Sequence, residues 1–346
     1  MALQILQGLC LSLLLTFSVR ADMLQINPSH PDRYTVVRGD TLWDIAGKFL
    51  QQPWQWPQLW HNNPQIENPH WIYPGDTLYF SYVNGEPRLS LSGSDGYADE
   101  AHLVPRIRES SLEQAIPMIP SDAISQFLSS PKVMSAEEMA RSPYVLDFAD
   151  EHLIVGSGDR IYVRGIGTPK RLGYTVYRQG KPYLSPETKE ILGYEAQYVA
   201  DALLENPGDP ATMRVTKSEN EVRRGDRLME VSEAEMALNY FPRPPEQAIK
   251  GTIIRVMGGV TQIGAHDIVV IDKGKADGLE VGHVMDIYKK GRIVMDKIQS
   301  DDAVEVKLPD ELAGVLMVFR PFERVSYALV MKASGAIRTL DKVQTP

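Results

Sequence analysis

Between Arg33 and Phe80 the hydrophobic period changes twice, from strand-like to helical and back, with a Gly-Asp pair at each change. Tyr34 to Val37 is a short β-type run ended by Gly39-Asp40. Leu42, Ile45, Ala46 and Phe49 then recur at three- and four-residue spacing, the signature of one helical face. Thr41 and Asp44 form a T-x-x-D capping box, and Asp40 places negative charge beside the positive end of that helix. Pro57 suits the first position of a second short helix with Leu59 and Trp60, which Asn62-Asn63-Pro64 stops. Pro74-Gly75-Asp76 turns the chain into a last strand, Thr77 to Tyr82, whose alternation of Leu78 and Phe80 with polar neighbours predicts a half-buried edge. Such punctuation restricts the stretch to a strand, helix, helix, strand unit with two turn-rich loops facing the same way.

A unit this small needs its large apolar side chains to exclude water, so Leu42, Trp43, Ile45 and Trp60 are predicted core. Trp54 and Trp56 stay open between core and surface. Asp40 and Thr41 have a sufficient explanation as caps, worth about 1 kcal/mol each. His61 and His70 sit in no H-x-x-x-H or Cys-rich pattern and read as loop histidines, so no metal site is predicted.

The pieces YTVVRGDTLWDIA, from Tyr34, and NPHWIYPGDTL, from Asn68, resemble the two halves of a LysM module, a βααβ unit that binds N-acetylglucosamine-containing glycans such as peptidoglycan. The resemblance implies a sugar groove between the loop Gly39-Asp40-Thr41-Leu42 and the loop Asn68-Pro69-His70-Trp71-Ile72-Tyr73, with Trp71 covering the apolar face of a pyranose. Backbone groups in tight turns can address an acetamido group, which is consistent with that role. The segment Pro53-Trp54-Gln55-Trp56-Pro57 is more aromatic than the family's usual inter-helix segment, which leaves glycan length open.

The surroundings suit a wall-facing protein. An apolar run from Leu9 to Phe17 is short for a membrane span, and Val19 and Ala21 stand at a cleavage-like spacing, predicting a signal peptide over 1–21. Cys10, the one cysteine, lies inside it, so a chain without disulfides is expected after removal. No later segment reads as a membrane span. A net charge of −9 with dispersed Lys and Arg argues against nucleic acid, whose binding needs clustered cations. From Asn84 to His102 the composition turns polar, including Ser92-Gly93-Ser94-Asp95-Gly96, and predicts a flexible linker. Residues 103–143 read as a short helical segment, in which Ser121 caps a helix through Leu128 and Ser135 with Glu138 forms a capping box.

The remainder is β in character. Short β-branched and aromatic runs at Leu153–Val155, Arg160–Val163, Tyr174–Tyr177, Ile253–Val256, Ile268–Ile271 and Val284–Tyr288 are separated by glycine turns. The order of segments repeats. Gly173–Gly180 matches His283–Gly291; Glu190–Gly193 matches Glu311–Gly314; Val215–Ser218 matches Val330–Ser334; and Arg224-Gly225-Asp226 matches Leu340-Asp341. Extra length around Asp301-Asp302 requires an insertion in the second copy. The fold class predicted is therefore multidomain α+β: the βααβ unit at 33–82, then two small β-barrel-like domains with short helices, at 144–232 and 248–343. A helical link, Ser232–Asn239, joins the last two. Glycines Gly274, Gly278 and Gly282 are predicted positive-φ turns.

The run VVIDKGKADGLEVGHVMDIYKKG, from Val269, resembles the carboxy-terminal domain of the flagellar assembly protein T family. Together with an exported LysM module it resembles the type IV pilus secretin-associated family, which implies a periplasmic location and the outer-membrane pilus secretin as partner. No catalytic residue or cofactor is predicted. The run Asp272–Gly278 lacks calcium-loop ligands, Gly156-Ser157-Gly158 is no nucleophile elbow, and Gly165-Ile166-Gly167 lacks a third glycine for a dinucleotide. The function expected is a non-catalytic wall anchor for the secretin. The alternatives are an adaptor or regulator of a wall hydrolase or flagellar component, and, in another class, a peptidoglycan-cleaving enzyme.

Overall fold

The computed structural model describes residues 24–61, 72–91, 116–120, 122–124, 127, 132–149, 154–230, 240–257, 262–296 and 304–346. The segment 1–21 with Cys10, the stretch 92–102, the candidates Asn68, Pro69 and Trp71, and the link 232–239 lie outside them. The chain divides into two compact units at Ile116 and Pro117.

In the first unit, β1 (Arg33–Thr35) leads into helix α1 (Leu42–Phe49), a 3-10 turn (Pro53–Gln55), helix α2 (Trp56–His61) and strand β2 (Thr77–Val83). The capping box is present, with Thr41 as N-cap and Asp44 closing it. Leu42, Ile45, Ala46 and Phe49 are buried, as their spacing requires, and Trp43 is buried with them. Leu42, Ile45 and Phe49, fully buried, contribute about 1.5–3 kcal/mol each. Trp54 and Trp56 are also buried, 4% and 2% exposed, which decides them as core.

The expected linker does not begin at Asn84. Asn84 and Gly85 both adopt positive φ, 54° and 85°, as a two-residue hairpin turn demands. They fold β3 (Glu86–Leu91) back on β2, and Leu89 is fully buried. The sheet order is β1-β2-β3, so β2 is the central strand and not the expected edge.

The second unit opens with helical residues at 122–124 and 127, followed by β4 (Lys132–Met134) and helix α3 (Ala136–Arg141). Ser135 and Glu138 form the expected capping box. The segment 103–143 is thus not purely helical: β4 adds to the edge of β8, and Met134 packs with Met139, Tyr177 and Ala196.

Strands β5 (Tyr144–Phe148), β6 (Arg160–Arg164), β7 (Gly173–Leu184), β8 (Ile191–Asn206), β9 (Ala211–Ser218) and β10 (Arg227–Glu230) pair in the order β5-β6-β9-β8-β7-β10, and β10 pairs with β5, closing the ring. Of the expected run Leu153–Val155, Val155 makes an isolated bridge to Val222 and is in no strand. The next six barrel strands are β11 (Lys250–Val256), β12 (Ile268–Ile271), β13 (Val284–Lys289), β16 (Glu311–Pro321), β17 (Ser326–Ala333) and β18 (Lys342–Gln344). They close as β11-β12-β17-β16-β13-β18. Substituting each strand by its counterpart in chain order turns one ring into the other. The two barrels share one topology, and the insertion expected near Asp301 is the hairpin β14 (Ile293–Asp296) and β15 (Val304–Lys307).

The likeness extends to single bonds. In barrel 1 the Gly158 N–H donates to Val215 O at 2.8 Å and Asp159 Oδ2 accepts the Gly156 N–H at 3.0 Å. In barrel 2 His266 N–H donates to Val330 O at 2.7 Å and Asp267 Oδ2 accepts the Gly264 N–H at 2.8 Å. A second turn repeats in the same way: Asp226 Oδ2 accepts from Arg223 N–H at 2.8 Å, and Asp341 Oδ2 from Arg338 N–H at 2.8 Å.

Gly278 and Gly282 have the expected positive φ, 88° and 89°. Gly274 does not; its φ is −139°, and it is glycine because a Cβ there would strike the carbonyl oxygens of Phe322 and Glu323.

The long β7–β8 hairpin carries barrel 1 onto barrel 2. Tyr183 and Tyr327 hydroxyls meet at 3.3 Å, Arg255 pairs with Glu195 at 3.0 Å over the Tyr183 ring, and Arg324 grips both oxygens of Glu190 at 2.7 and 3.0 Å.

Candidate glycan-binding site

The two Gly-Asp turns of the first unit are built alike and are tied together. In the first, Gly39 has φ 97°, Asp40 N–H donates to Val37 O at 3.2 Å, and Asp40 Oδ2 accepts the Val37 N–H at 2.9 Å. In the second, Gly75 has φ 94°, Asp76 N–H donates to Tyr73 O at 3.0 Å, and Asp76 Oδ2 accepts the Tyr73 N–H at 3.0 Å. Val36 joins them, donating to Asp76 O and accepting from the Gly75 N–H, both at 2.8 Å. The loop after β1 and the turn before β2 therefore stand side by side.

Of the predicted residues, Gly39, Asp40, Thr41, Leu42, Ile72 and Tyr73 are described, while Asn68, Pro69 and Trp71 lie outside the described residues. Gly39 is exposed, and among the described residues nothing lies within 4 Å of where its Cβ would be, so its backbone can be approached closely. Asp40 is committed to the turn and to the Tyr34 hydroxyl, which donates to its Oδ2 at 2.9 Å. The Thr41 hydroxyl donates to Asp44 Oδ2 at 2.7 Å and accepts from Asp44 N–H at 3.1 Å. With Thr41 4%, Leu42 2% and Ile72 0% exposed, these three side chains belong to the packed interior. Thr41 is enclosed by its cap and Leu42 and Ile72 by the core, so their side chains present no open surface. Tyr73 is half-buried.

Sequence reasoning missed the Tyr34, Asp40, Lys48 cluster that braces the first loop. Lys48 Nζ lies 4.6 Å from the centre of the Tyr34 ring, a cation–π contact. Burial, reinforced by the Asp40 carboxylate that the hydroxyl donates to, pushes the Tyr34 pKa up to about 12. The only sequence signal was a tyrosine six residues before the turn aspartate. Val37, 54% exposed, and Arg38 extend the open surface beside Gly39.

A polar cleft of about 820 Å³ lies between the barrels. Its charges are mostly matched internally: Lys273 with Asp277 at 3.2 Å, Lys342 with Asp310 at 2.6 Å, and Arg324 with Glu190. Asp272 is pushed above the usual carboxylate range by burial, while accepting the Thr252 N–H at 2.6 Å. Among the described residues no cluster of His, Cys, Asp and Glu is arranged to hold a metal ion, and no helix is long and apolar enough to cross a membrane.

Residues 34–81 match the LysM domain family. The chain thus carries a LysM domain, a class of module associated with binding peptidoglycan, and the two tied turns lie within it. An uncharacterized protein of Bacillus subtilis (strain 168), YqbP, is 43% identical to this chain over 60 residues, covering 14% of this chain and 27% of the relative. The likeness therefore spans about a quarter of that relative's length.

Proposed function

We propose that this protein is a non-catalytic periplasmic anchor that holds peptidoglycan through its LysM domain and the outer-membrane type IV pilus secretin through its two barrels. The observation that carries the reading is a LysM domain at 34–81 in a unit separate from a two-barrel body. The secretin half rests on the resemblance at Val269–Gly291, a stretch that forms β12, the 3-10 turn Lys275–Asp277 and β13 of barrel 2.

In this reading the N-acetylglucosamine unit lies against Gly39 and the tied turns, with Trp71 over its ring face. A chain of net charge −9 gains no attraction from anionic wall polymers, so affinity has to come from the groove's shape and backbone groups. Each contact is modest alone. Joining a glycan site and a protein site in one chain makes the second binding intramolecular and multiplies the hold on both.

The test has two arms. Trp71→Ala should reduce cosedimentation with purified sacculi while leaving thermal unfolding of the barrels unchanged; undiminished binding would refute the groove. The full chain, used as bait in detergent-solubilised envelopes digested with a muramidase, should recover the secretin. Capture of a wall hydrolase or flagellar protein in its place would replace the anchor by an adaptor, and release of soluble muropeptides from sacculi by the pure protein would make it an enzyme.

A further inference from the structure

Barrel 2 differs from barrel 1 by the hairpin β14–β15 inserted between β13 and β16. Among the described residues these strands pair only with each other. A two-stranded hairpin is at best marginally stable in water. This one leaves Ile293 62%, Met295 51%, Val304 56% and Val306 41% exposed. All four residues of β15 are exposed. The Leu308 N–H donates to Arg292 O at 2.9 Å, on the β14 side. Antiparallel alternation then turns the backbone groups of Val304 and Val306 toward β14 and those of Glu305 and Lys307 outward. Such an edge is a template for another strand.

The sequence of the edge selects the strand. Val304-Glu305-Val306-Lys307-Leu308 is self-complementary when laid antiparallel on a second copy about Val306. Val306 then faces Val306, Val304 faces Leu308, and Glu305 faces Lys307 twice, related by the two-fold axis. Opposite charges directly across a strand pair are stabilising, while a parallel alignment in register would set like against like. The register also satisfies the backbone, because Glu305 and Lys307 are the residues whose N–H and C=O groups face outward. Lys307 Nζ lies 3.9 Å from Asp310 Oδ1, beyond hydrogen-bond distance, and can turn to a partner across the axis.

The geometry points to β15 as a dimerisation edge: two copies of the chain join β15 to β15 antiparallel, forming a four-stranded sheet with a self-complementary contact about a two-fold axis. This holds whether or not the secretin is the partner of the barrels.

Sedimentation velocity on the full chain should show a dimer whose population rises through the micromolar range. Glu305→Lys or Lys307→Glu turns two attractive cross-strand pairs into two repulsive ones and should raise the dissociation constant about tenfold or more. The double reversal should return it to within about threefold of the starting value. Both side chains are exposed, so the variants should keep the circular dichroism spectrum of the parent. In a Cys10→Ser background, Val306→Cys should oxidise to a covalent dimer, since a non-hydrogen-bonded pair on the axis brings Cα atoms to about 4.5 Å, within disulfide reach. A monomer at every concentration, a dimer indifferent to the single reversals, a double reversal that fails to restore it, or a Val306→Cys chain that stays monomeric on oxidation would each overturn the proposal.

Discussion

His266→Gly should make the two-barrel unit more stable, although it removes a side chain. His266 adopts φ 70°, a left-handed conformation that costs an L-residue about 1–2 kcal/mol. Its side chain is exposed, so little packing is lost, and its N–H bond to Val330 O at 2.7 Å is one that glycine retains. The corresponding residue of barrel 1, Gly158, makes the same bond at φ 98° without strain. Against this relief stands the greater freedom of glycine in the unfolded chain, about 0.5–1 kcal/mol. The net gain is about 0.5–1 kcal/mol, which for a unit of this size raises Tm by about 1–4 °C. The reciprocal change, Gly158→Ala, introduces a Cβ with no heavy atom within 4 Å, so its cost is purely conformational and should lower Tm by a similar amount. Scanning calorimetry on the two single variants and their combination gives the answer, with the combination near the parent because the sites are independent. An unchanged or lowered Tm for His266→Gly, or a Gly158→Ala variant as stable as the parent, would refute the argument that the two turns are equivalent and strained in only one barrel.

Asp226 is 4% exposed and accepts from Arg178 Nε and Nη2, at 2.9 and 2.8 Å, besides the Arg223 N–H, so Asp226→Ala should cost about 2–3 kcal/mol in urea unfolding; a loss under about 0.5 kcal/mol would contradict the assignment. Gly274→Ala should destabilise barrel 2 by about 2–4 kcal/mol, since the new methyl would strike carbonyl oxygens of the β16–β17 turn and lie 2.7 Å from Arg324 N, and a variant with parental Tm would show that the turn can yield. Tyr34 is held protonated, its pKa raised from 10.0 to about 12, so its contribution to LysM stability is complete below pH 10 and is lost as pH rises toward 12. Tyr34→Phe should abolish that alkaline decline, measured by tyrosinate absorbance together with unfolding at each pH.

Local chemistry was readable wherever a few neighbouring residues suffice to satisfy it. The capping boxes at Thr41 and Ser135, the face of α1 and the Gly-Asp turns were legible because each closes its own hydrogen bonds within three or four residues. The repeated order of segments disclosed two related domains and an insertion before any strand was paired. Asn84-Gly85 carried a hairpin signal, but a polar stretch around it gave no indication that Leu89 would be covered. Burial depends on residues distant in the chain. The same reason kept Trp54 and Trp56 undecided, made β2 central, and left the ring order of both barrels to be settled by long-range pairing. It also explains Gly274: the turn needs glycine because the backbone of Phe322 and Glu323 arrives there, and their proximity is created by closing the barrel. The LysM unit, its turns and the duplication are written in neighbouring residues and their order; which side chains of the first loop stay exposed was a matter of packing, because the small unit encloses Thr41, Leu42 and Ile72 and leaves Gly39 exposed.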